Sequence, residues 1–245
     1  VQRPEPAGAA ALSAIGDLQG EAYERNAFAQ GTAAETEALW TRLDLAEGDR
    51  VLDVGAATGR HSRALAARGC LPVALDLSHA VLTAGARQAR REGLGIDWVR
   101  ADAGLLPLAR GSVDAAISVC QGAFGLGGDA DRALLAELAR VVRPGGGLAL
   151  TAYSLAFAAR FLGPEDALDL PRGLLHAPAE VRDRDGRPHQ LDHWSACYSP
   201  AHLCDLLAEA GFTAVGLWGW EPGAPTDRPP VLTDPEVLVS AVRDP

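Results

Sequence analysis

The sequence predicts a doubly wound α/β fold: a mostly parallel sheet with helices on both faces, an antiparallel C-terminal strand pair, and an inserted cap after the fifth strand. Three observations predict it. Short apolar runs alternate with helix-period segments from residue 50 to residue 153, the pattern of a parallel sheet covered on both faces. That alternation breaks off after residue 154, where prolines accumulate. It resumes at residue 199 with one more helix and two apolar stretches.

Residues 1–16, rich in Ala, Pro and Gly, read as a loose arm. A helix is expected from Thr32, because Thr32 and Glu35 have capping-box spacing; Leu39, Trp40 and Leu43 form its apolar stripe, and it ends before Gly48. RVLDV (50–54) is a short buried strand, and TGRHSRALAARG (58–69) is a helix closed by glycine. LPVALD (71–76) and SHAVLTAGARQARREG (78–93) repeat the pair. IDWVRAD (96–102) and VDAAISV (113–119) are the third and fourth strands. DADRALLAELARVV (129–142) is a strongly periodic helix, and GLALTAY (147–153) is the fifth strand, after the turn RPGG. Residues 155–198 are expected to hold a short helix and a hairpin around Asp185-Gly186, packed over the sheet edge. SPAHLCDLLAEAGF (199–212) is a helix started by Ser199-Pro200 and stopped by Gly211. TAVGLWGW (213–220) and EVLVSAV (236–242) form the closing antiparallel pair.

Composition narrows the function classes. With 245 residues, 48% hydrophobic and 22% charged, the chain can build a sizeable core. No apolar run reaches the roughly 18 residues of a membrane helix; the longest candidate, GGGLALTAYSLAFAARFLG (145–163), is broken by glycines and polar residues. A net charge of −10 opposes a broad nucleic-acid surface, though not a local basic groove. The 22 basic residues are all arginine, so no lysine can act as base, Schiff-base amine or P-loop cation. Cys70, Cys120, Cys197 and Cys204 have no metal-ligand spacing. Free thiols and the lack of a visible secretory signal lead to the expectation of a cytoplasmic protein without a metal centre.

The segment VLDVGAATG (51–59) carries the strongest functional signal. A strand ends at Val54, glycines stand at 55 and 59, and a helix follows, so the backbone can turn sharply and a ligand can approach it. Asp76 ends the next strand about 20 residues on, where a carboxylate can accept hydrogen bonds from ribose hydroxyls. Together these point to an adenosine-containing ligand. A dinucleotide fits poorly: its GxGxxG pattern would put glycine at 55, 57 and 60, but Ala57 and Arg60 stand at two of those positions.

LDVGAATG resembles the first motif of class I S-adenosylmethionine-dependent methyltransferases, an acidic residue followed by GxGxG, with Ala57 in place of the middle glycine. ALDLS (74–78) is similar to their ribose-binding acidic motif, and RADAGLLPL (100–108) to the segment that approaches the adenine amino group. VDAAISVCQGAFGL (113–126), LARVVRPGGGLALTAY (138–153) and CYSPAHLCDLLAEAGF (197–212) resemble the later motifs. The resemblance implies S-adenosylmethionine as cofactor. It implies that Gly55, Ala57 and Gly59 surround the amino-acid part, with Asp53 orienting its ammonium. By the same resemblance Asp76 binds ribose, Leu77 flanks adenine, Asp102 with Ala103 holds the purine edge, and Cys120 and Gln121 sit near the reacting methyl. In many relatives a segment placed like YERNAFAQGT (23–32) closes over the cofactor, which makes Tyr23, Asn26 and Phe28 lid candidates; an ordinary helix packing on the sheet is the alternative. His61 is expected to orient backbone near the cofactor.

The chain thus divides into an arm with lid helices (1–44), a cofactor-binding core (45–153), an inserted cap for substrate (154–198) and a C-terminal completion of the sheet (199–245). Methyl transfer needs alignment more than a metal or a covalent intermediate. The candidates for a base or an acceptor contact are His193, His176, Tyr198 and Gln121, with His189 also in the cap. The expected acceptor is a small molecule, not nucleic acid or membrane, and a homodimer is compatible with this reading. RNA or protein methylation and a non-catalytic cofactor-binding role are the alternatives.

Overall fold

The structure is a computed structural model that describes residues 9–26, 29–120, 122–191 and 194–245. Its centre is built by strands β1 (Arg50–Val54), β2 (Leu71–Asp76), β3 (Asp97–Arg100), β4 (Val113–Ser118) and β5 (Val142–Ser154), all parallel. Beyond β5 come β6 (Ala167–Asp169), β7 (Leu174–His176), β8 (Ala179–Arg182), β9 (Pro188–Leu191) and β10 (Trp194–Tyr198), and then β11 (Phe212–Glu221), β12 (Ala224–Pro225) and β13 (Glu236–Arg243). The main sheet runs β12-β11-β13-β5-β4-β1-β2-β3. β13 inserts antiparallel between β5 and β11, which is the expected closing pair. The order reverses between β1 and β4, and ligands bind in the crevice at such a switch point, outside the carboxyl ends of the strands.

The helices are α1 (Ala9–Gln19), α2 (Thr32–Arg42), α3 (Arg60–Ala66), α4 (His79–Glu92), α5 (Gly128–Val141), α6 (Leu155–Arg160) and α7 (Pro200–Glu209). Strand side chains alternate between two apolar layers. Leu52, Val54, Leu148, Leu150, Val237 and Val239 pack with Leu134, Leu138, Leu203 and Phe212 on the α5–α7 side. Val51, Ile117, Ala149 and Leu238 pack with Leu39, Leu65 and Trp220 on the α2–α3 side. Leu52, Ile117, Leu148 and Leu150 are fully buried, as strands covered on both faces require.

Several local expectations change. Where a loose arm was expected, Ala9–Gln19 is helical and packs on α4; Ser78 Oγ donates to Asp17 Oδ1 at 2.6 Å. A run of alanines has high helix propensity, and the contact surface on α4 supplies the rest. No capping box forms at Thr32. Gly31 is the N-cap, in the left-handed region, and Glu35 is drawn inward instead. RPGG does not precede β5 but lies within it, where a register shift against β4 takes up the extra residues. Ser199 does cap α7, accepting from His202 N. The hairpin at Asp185-Gly186 forms as β8–β9, its turn held by Asp183 Oδ1 accepting from Asp185 N and Arg187 N at 2.9 Å. β10 joins the insertion to the carboxyl end of β5, pairing Cys197 with Tyr153 and Tyr198 with Ser154.

Candidate active site

The turn after β1 opens the site. Gly55 N and Ala56 N donate to Leu75 O at 2.8 and 2.9 Å, which folds the turn across the end of β2. Gly55 has φ +73°, and a Cβ there would meet the Gly122 backbone at 2.0 Å. Only glycine satisfies both demands. Ala57 lies at φ +49°, a left-handed conformation that most side chains avoid.

Asp76 is clamped by backbone donors on each oxygen: Ala57 N reaches Oδ2 at 2.9 Å, and Ser78 N reaches Oδ1 at 2.8 Å. A carboxylate has about four lone-pair sites, so acceptor capacity remains for a ligand. Burial raises its pKa, opposed by the Ser78 and Ala57 hydrogen bonds. Arg100 Nε donates to Leu77 O at 2.9 Å, fixing the segment beyond β2 against the end of β3. Asp102, exposed, accepts from Gly104 N at 2.8 Å.

These residues border a cavity of about 1090 Å³ at the carboxyl ends of the strands. Single-ligand pockets usually occupy roughly 300–1,000 Å³, so there is room for a nucleoside and a second molecule. Gly55, Ala57, Asp76, Leu77, Asp102, Ala103 and Cys120 line it. So does Tyr23, from a short helical turn at Gly20–Arg25. Burial, reinforced by the Asp76 carboxylate, pushes its phenol up to about 12, so it stays protonated and able to donate. Asn26 Nδ2 donates to Gln19 Oε1 at 3.0 Å, and Gln19 Nε2 donates to Arg182 O at 3.0 Å. The N-terminal segment is thereby tied to the β8 strand of the insertion, and Gln19, Asn26 and Val181 all line the cavity.

Asp53, Gly59 and His61 are not among the described lining residues. Asp53 is buried and accepts from Ser62 Oγ at 2.7 Å, joining β1 to α3. His61 Nε2 lies 2.8 Å from Glu35 Oε2. Gly59, at φ +66°, packs against the Trp98 ring. Among the candidates for acceptor chemistry, Tyr198 points elsewhere: its hydroxyl donates to Asp131, whose other contacts are Gly125 N, Leu126 N and Gly127 N. His176 stacks on Trp194 at a ring separation of 5.2 Å and is not among the described lining residues. His189 pairs with Asp183 in the hairpin. Gln121, His193 and Phe28 lie outside the described residues.

Sequence reasoning missed a buried network below the turn. Glu35, fully buried, accepts from the Arg60 guanidinium and from Gly223 N at 2.7 Å, besides its contact with His61. Burial opposes its ionisation, but the His61 and Arg60 hydrogen bonds hold its pKa down to about 2. Arg60 also contacts Cys120 Sγ at 3.2 Å and donates to Thr32 Oγ1 at 3.0 Å. The one available signal was an arginine where close helix packing would ask for a small side chain. On the far cavity wall, Tyr153 and Glu236 were also missed. Glu236 is buried, at the start of β13 and in register with Tyr153.

Among the described residues, no helix is long and apolar enough to cross a membrane, and no group of acids, histidines or cysteines could hold a metal ion.

Residues 51–146 match the methyltransferase-domain family. The chain is 40% identical over 114 residues to a demethylmenaquinone methyltransferase of Corynebacterium urealyticum, covering 46% of this chain and 45% of that protein. It is 42% identical over 108 residues to the one of Renibacterium salmoninarum, covering 44% and 42%. It spans about half the length of these curated relatives. Among solved structures, the CcbJ methyltransferase from Streptomyces caelestis superposes with a TM-score of 0.77 at 18% identity, over 94% of this chain and 98% of that one. The Burkholderia thailandensis 1,6-didemethyltoxoflavin-N1-methyltransferase, with S-adenosylhomocysteine bound, gives 0.62 at 19% identity, over 100% and 94%. Residues 51–146 therefore carry the likeness to the methyltransferase-domain family, and the chain as a whole has the fold of these solved methyltransferases.

Proposed function

We propose that the protein transfers a methyl group from S-adenosylmethionine to a small molecule. The observation that carries this is Asp76, a carboxylate held by two backbone donors beside a glycine turn, with acceptor capacity left over and facing a cavity. Asp76 would hold the ribose hydroxyls, Leu77 the adenine face, and Asp102 with Ala103 the purine edge. Gly55 and Ala57 would receive the amino-acid part, and Tyr23, on the N-terminal segment, would cover it. Asp53, Gly59 and His61 would keep the turn in shape from behind. In this reading residues 1–44 close the site, 45–153 hold the cofactor, 154–198 face the acceptor, and 199–245 complete the sheet.

When bound, S-adenosylmethionine supplies an electrophilic methyl on a sulfonium; the acceptor's electron pair forms the new bond as the carbon–sulfur pair returns to sulfur. The protein's part is alignment and exclusion of water. Cys120, at φ +52° with its N donating to Thr151 Oγ1 at 2.8 Å, fixes the end of β4 beneath the cavity. Burial, together with the Glu236 and Glu35 carboxylates, holds its thiol protonated, so it would line the site without acting as a nucleophile.

A small acceptor is supported by a cavity bounded by the insertion and the N-terminal segment. The net charge of −10 opposes RNA, whose binding rests on clustered cations. Calorimetry with S-adenosylmethionine and S-adenosylhomocysteine tests the reading. Binding of both, weakened in Asp76→Ala, is expected; binding of neither would overturn it.

A further inference from the structure

The cavity has two ends of different build. Asp76 and Asp102 belong to the β2–β3 side of the switch point, where the proposed cofactor contacts lie. The other end is walled by Phe157 of α6 and by Leu175, Val181 and Leu191 of the insertion. Helix α1 is joined to both. Ser78 Oγ donates to Asp17 Oδ1 at 2.6 Å, and a Cβ on Gly16 would meet Ser78 Cβ at 2.9 Å, so the helix sits directly on Ser78. That same Ser78 donates through its N to Asp76 Oδ1 at 2.8 Å. Two residues after Asp17, Gln19 Nε2 donates to Arg182 O of β8 at 3.0 Å.

Gln19 is only 2% exposed, the one buried amide side chain among the described residues. An amide is kept inside only where its hydrogen bonds are made, and Gln19 makes them in two directions. Its Oε1 accepts from Asn26 Nδ2 at 3.0 Å, and Asn26 Nδ2 also donates to Tyr23 O at 2.7 Å. The amide pair therefore fixes the turn that carries Tyr23 to the cavity. The other direction reaches a part of the insertion that the main sheet does not hold. Among the described residues, β8 and β9 form a separate two-stranded sheet, with no ladder to the main one. Asp183 holds the hairpin turn from within, while Glu180, Val181 and Leu191 line the cavity.

Building on the proposed methyl transfer, we infer that Gln19 is a positioning residue: it clasps the N-terminal segment to the β8–β9 hairpin, so that the cofactor end and the insertion close as one unit. Filling either end then steadies the other. A bound cofactor holds the Tyr23 turn in place, Asn26 and Gln19 pass that order to Arg182 O, and the hairpin is set before an acceptor arrives. By reciprocity, an acceptor that packs on Val181 and Leu191 tightens the hold on the cofactor. Gln19 takes no part in bond making; its effect is carried through Asn26 and the hairpin.

The test follows S-adenosylhomocysteine on the full chain by stopped-flow fluorescence, with a chase to read dissociation. Q19L keeps the size of the side chain and removes its hydrogen bonds to Arg182 O and Asn26. Dissociation is expected to quicken roughly tenfold, the loss of one or two hydrogen bonds, with the association rate unchanged. D183A loosens the hairpin from a position outside the proposed cofactor contacts, and it should quicken dissociation too. The double variant should add little beyond Q19L, because both changes break one connection. In wild type, amide exchange in the hairpin should slow at least fivefold when S-adenosylhomocysteine is added. An unchanged dissociation rate in Q19L, additive effects in the double variant, or hairpin amides indifferent to S-adenosylhomocysteine overturns the inference. If Q19L fails to fold, the exchange measurement decides. Wild type that binds no S-adenosylhomocysteine would instead refute the cofactor reading.

Discussion

Replacing Glu35 by glutamine should cost roughly 3–5 kcal/mol of stability, a value that two independent routes reach. The side chain is fully buried between Arg60, itself 8% exposed, and His61, with Gly223 N on its second oxygen. Removing one partner of a buried ion pair leaves the other uncompensated, at about 3–5 kcal/mol. The second route is titration. The hydrogen bonds from His61 and Arg60 overcome the opposing effect of burial and bring the pKa from 4.5 to about 2, which corresponds to roughly 3 kcal/mol at neutral pH. The sign follows from the direction of the shift. The folded pKa is depressed, so this stability is fully present above the unfolded value and is lost as pH falls from about 5 to about 2. Urea denaturation of wild type and Glu35→Gln at several pH values isolates the effect as a difference, because the other shifted carboxylates are common to both proteins. The gap should be widest near pH 7 and should narrow steadily below pH 5. A gap under about 1 kcal/mol at pH 7, or one independent of pH down to pH 2, would refute the argument that this carboxylate is ionised to hold Arg60 and His61.

Asp76→Ala should raise the Kd for S-adenosylhomocysteine about 5- to 150-fold, the effect of about 1–3 kcal/mol of lost hydrogen bonding, as measured by calorimetry. Ala57→Gly relieves a left-handed alanine, worth about 1–2 kcal/mol, against about 0.5–1 kcal/mol of extra unfolded-state entropy. Thermal melting should therefore show a Tm rise of about 1–4 °C, and a fall would refute the claim of strain. Tyr198→Phe removes the hydroxyl donor to buried Asp131 and should cost about 1–3 kcal/mol in chemical denaturation, with S-adenosylhomocysteine affinity unchanged. Loss of that affinity would return Tyr198 to the site.

The elements legible in the sequence were those whose pattern is set by burial alone. RVLDV and LPVALD read as strands because both faces are covered, and the glycine at 55 could be read as a turn because no other residue tolerates φ +73° against the Gly122 backbone. The sequence pattern failed where a polar residue had two local uses. Thr32 and Glu35 have the spacing of a cap, but Glu35 is worth more inside, where Arg60 and His61 need an anion, and Gly31 caps the helix instead. Asp53, whose role near the cofactor came from the resemblance alone, has a structural use that its sequence position does not reveal. It alternates to the face that meets α3, and Ser62 takes it. Tyr198 stands in an aromatic cluster whose sequence gives no hint that its partner is Asp131, 67 residues earlier. Glu236 could have been noticed as the one acid heading an apolar strand, yet its distance in sequence from the glycine turn hid its place in the cavity.

The two ends of the cavity are built by different means, and this explains why one end was readable and the other was not. At the proposed cofactor end, the site is backbone geometry fixed by strand order: a turn bonded to Leu75 O and a carboxylate held by Ala57 N and Ser78 N. Such geometry demands particular residues at fixed spacing, so it leaves a motif in the chain. At the other end, the walls are side chains from α5, α6, the insertion and the start of β13, brought together only when β10 pairs with β5 and β13 inserts beside it. No spacing rule links those residues. A change of acceptor there would need only substitutions in the walls, leaving the turn and Asp76 untouched. The identity shared with the demethylmenaquinone methyltransferases spans less than half of the chain, and the family match ends at residue 146, before Tyr153, the insertion and Glu236. The proposed acceptor end of the cavity must therefore be read from its own residues and shape.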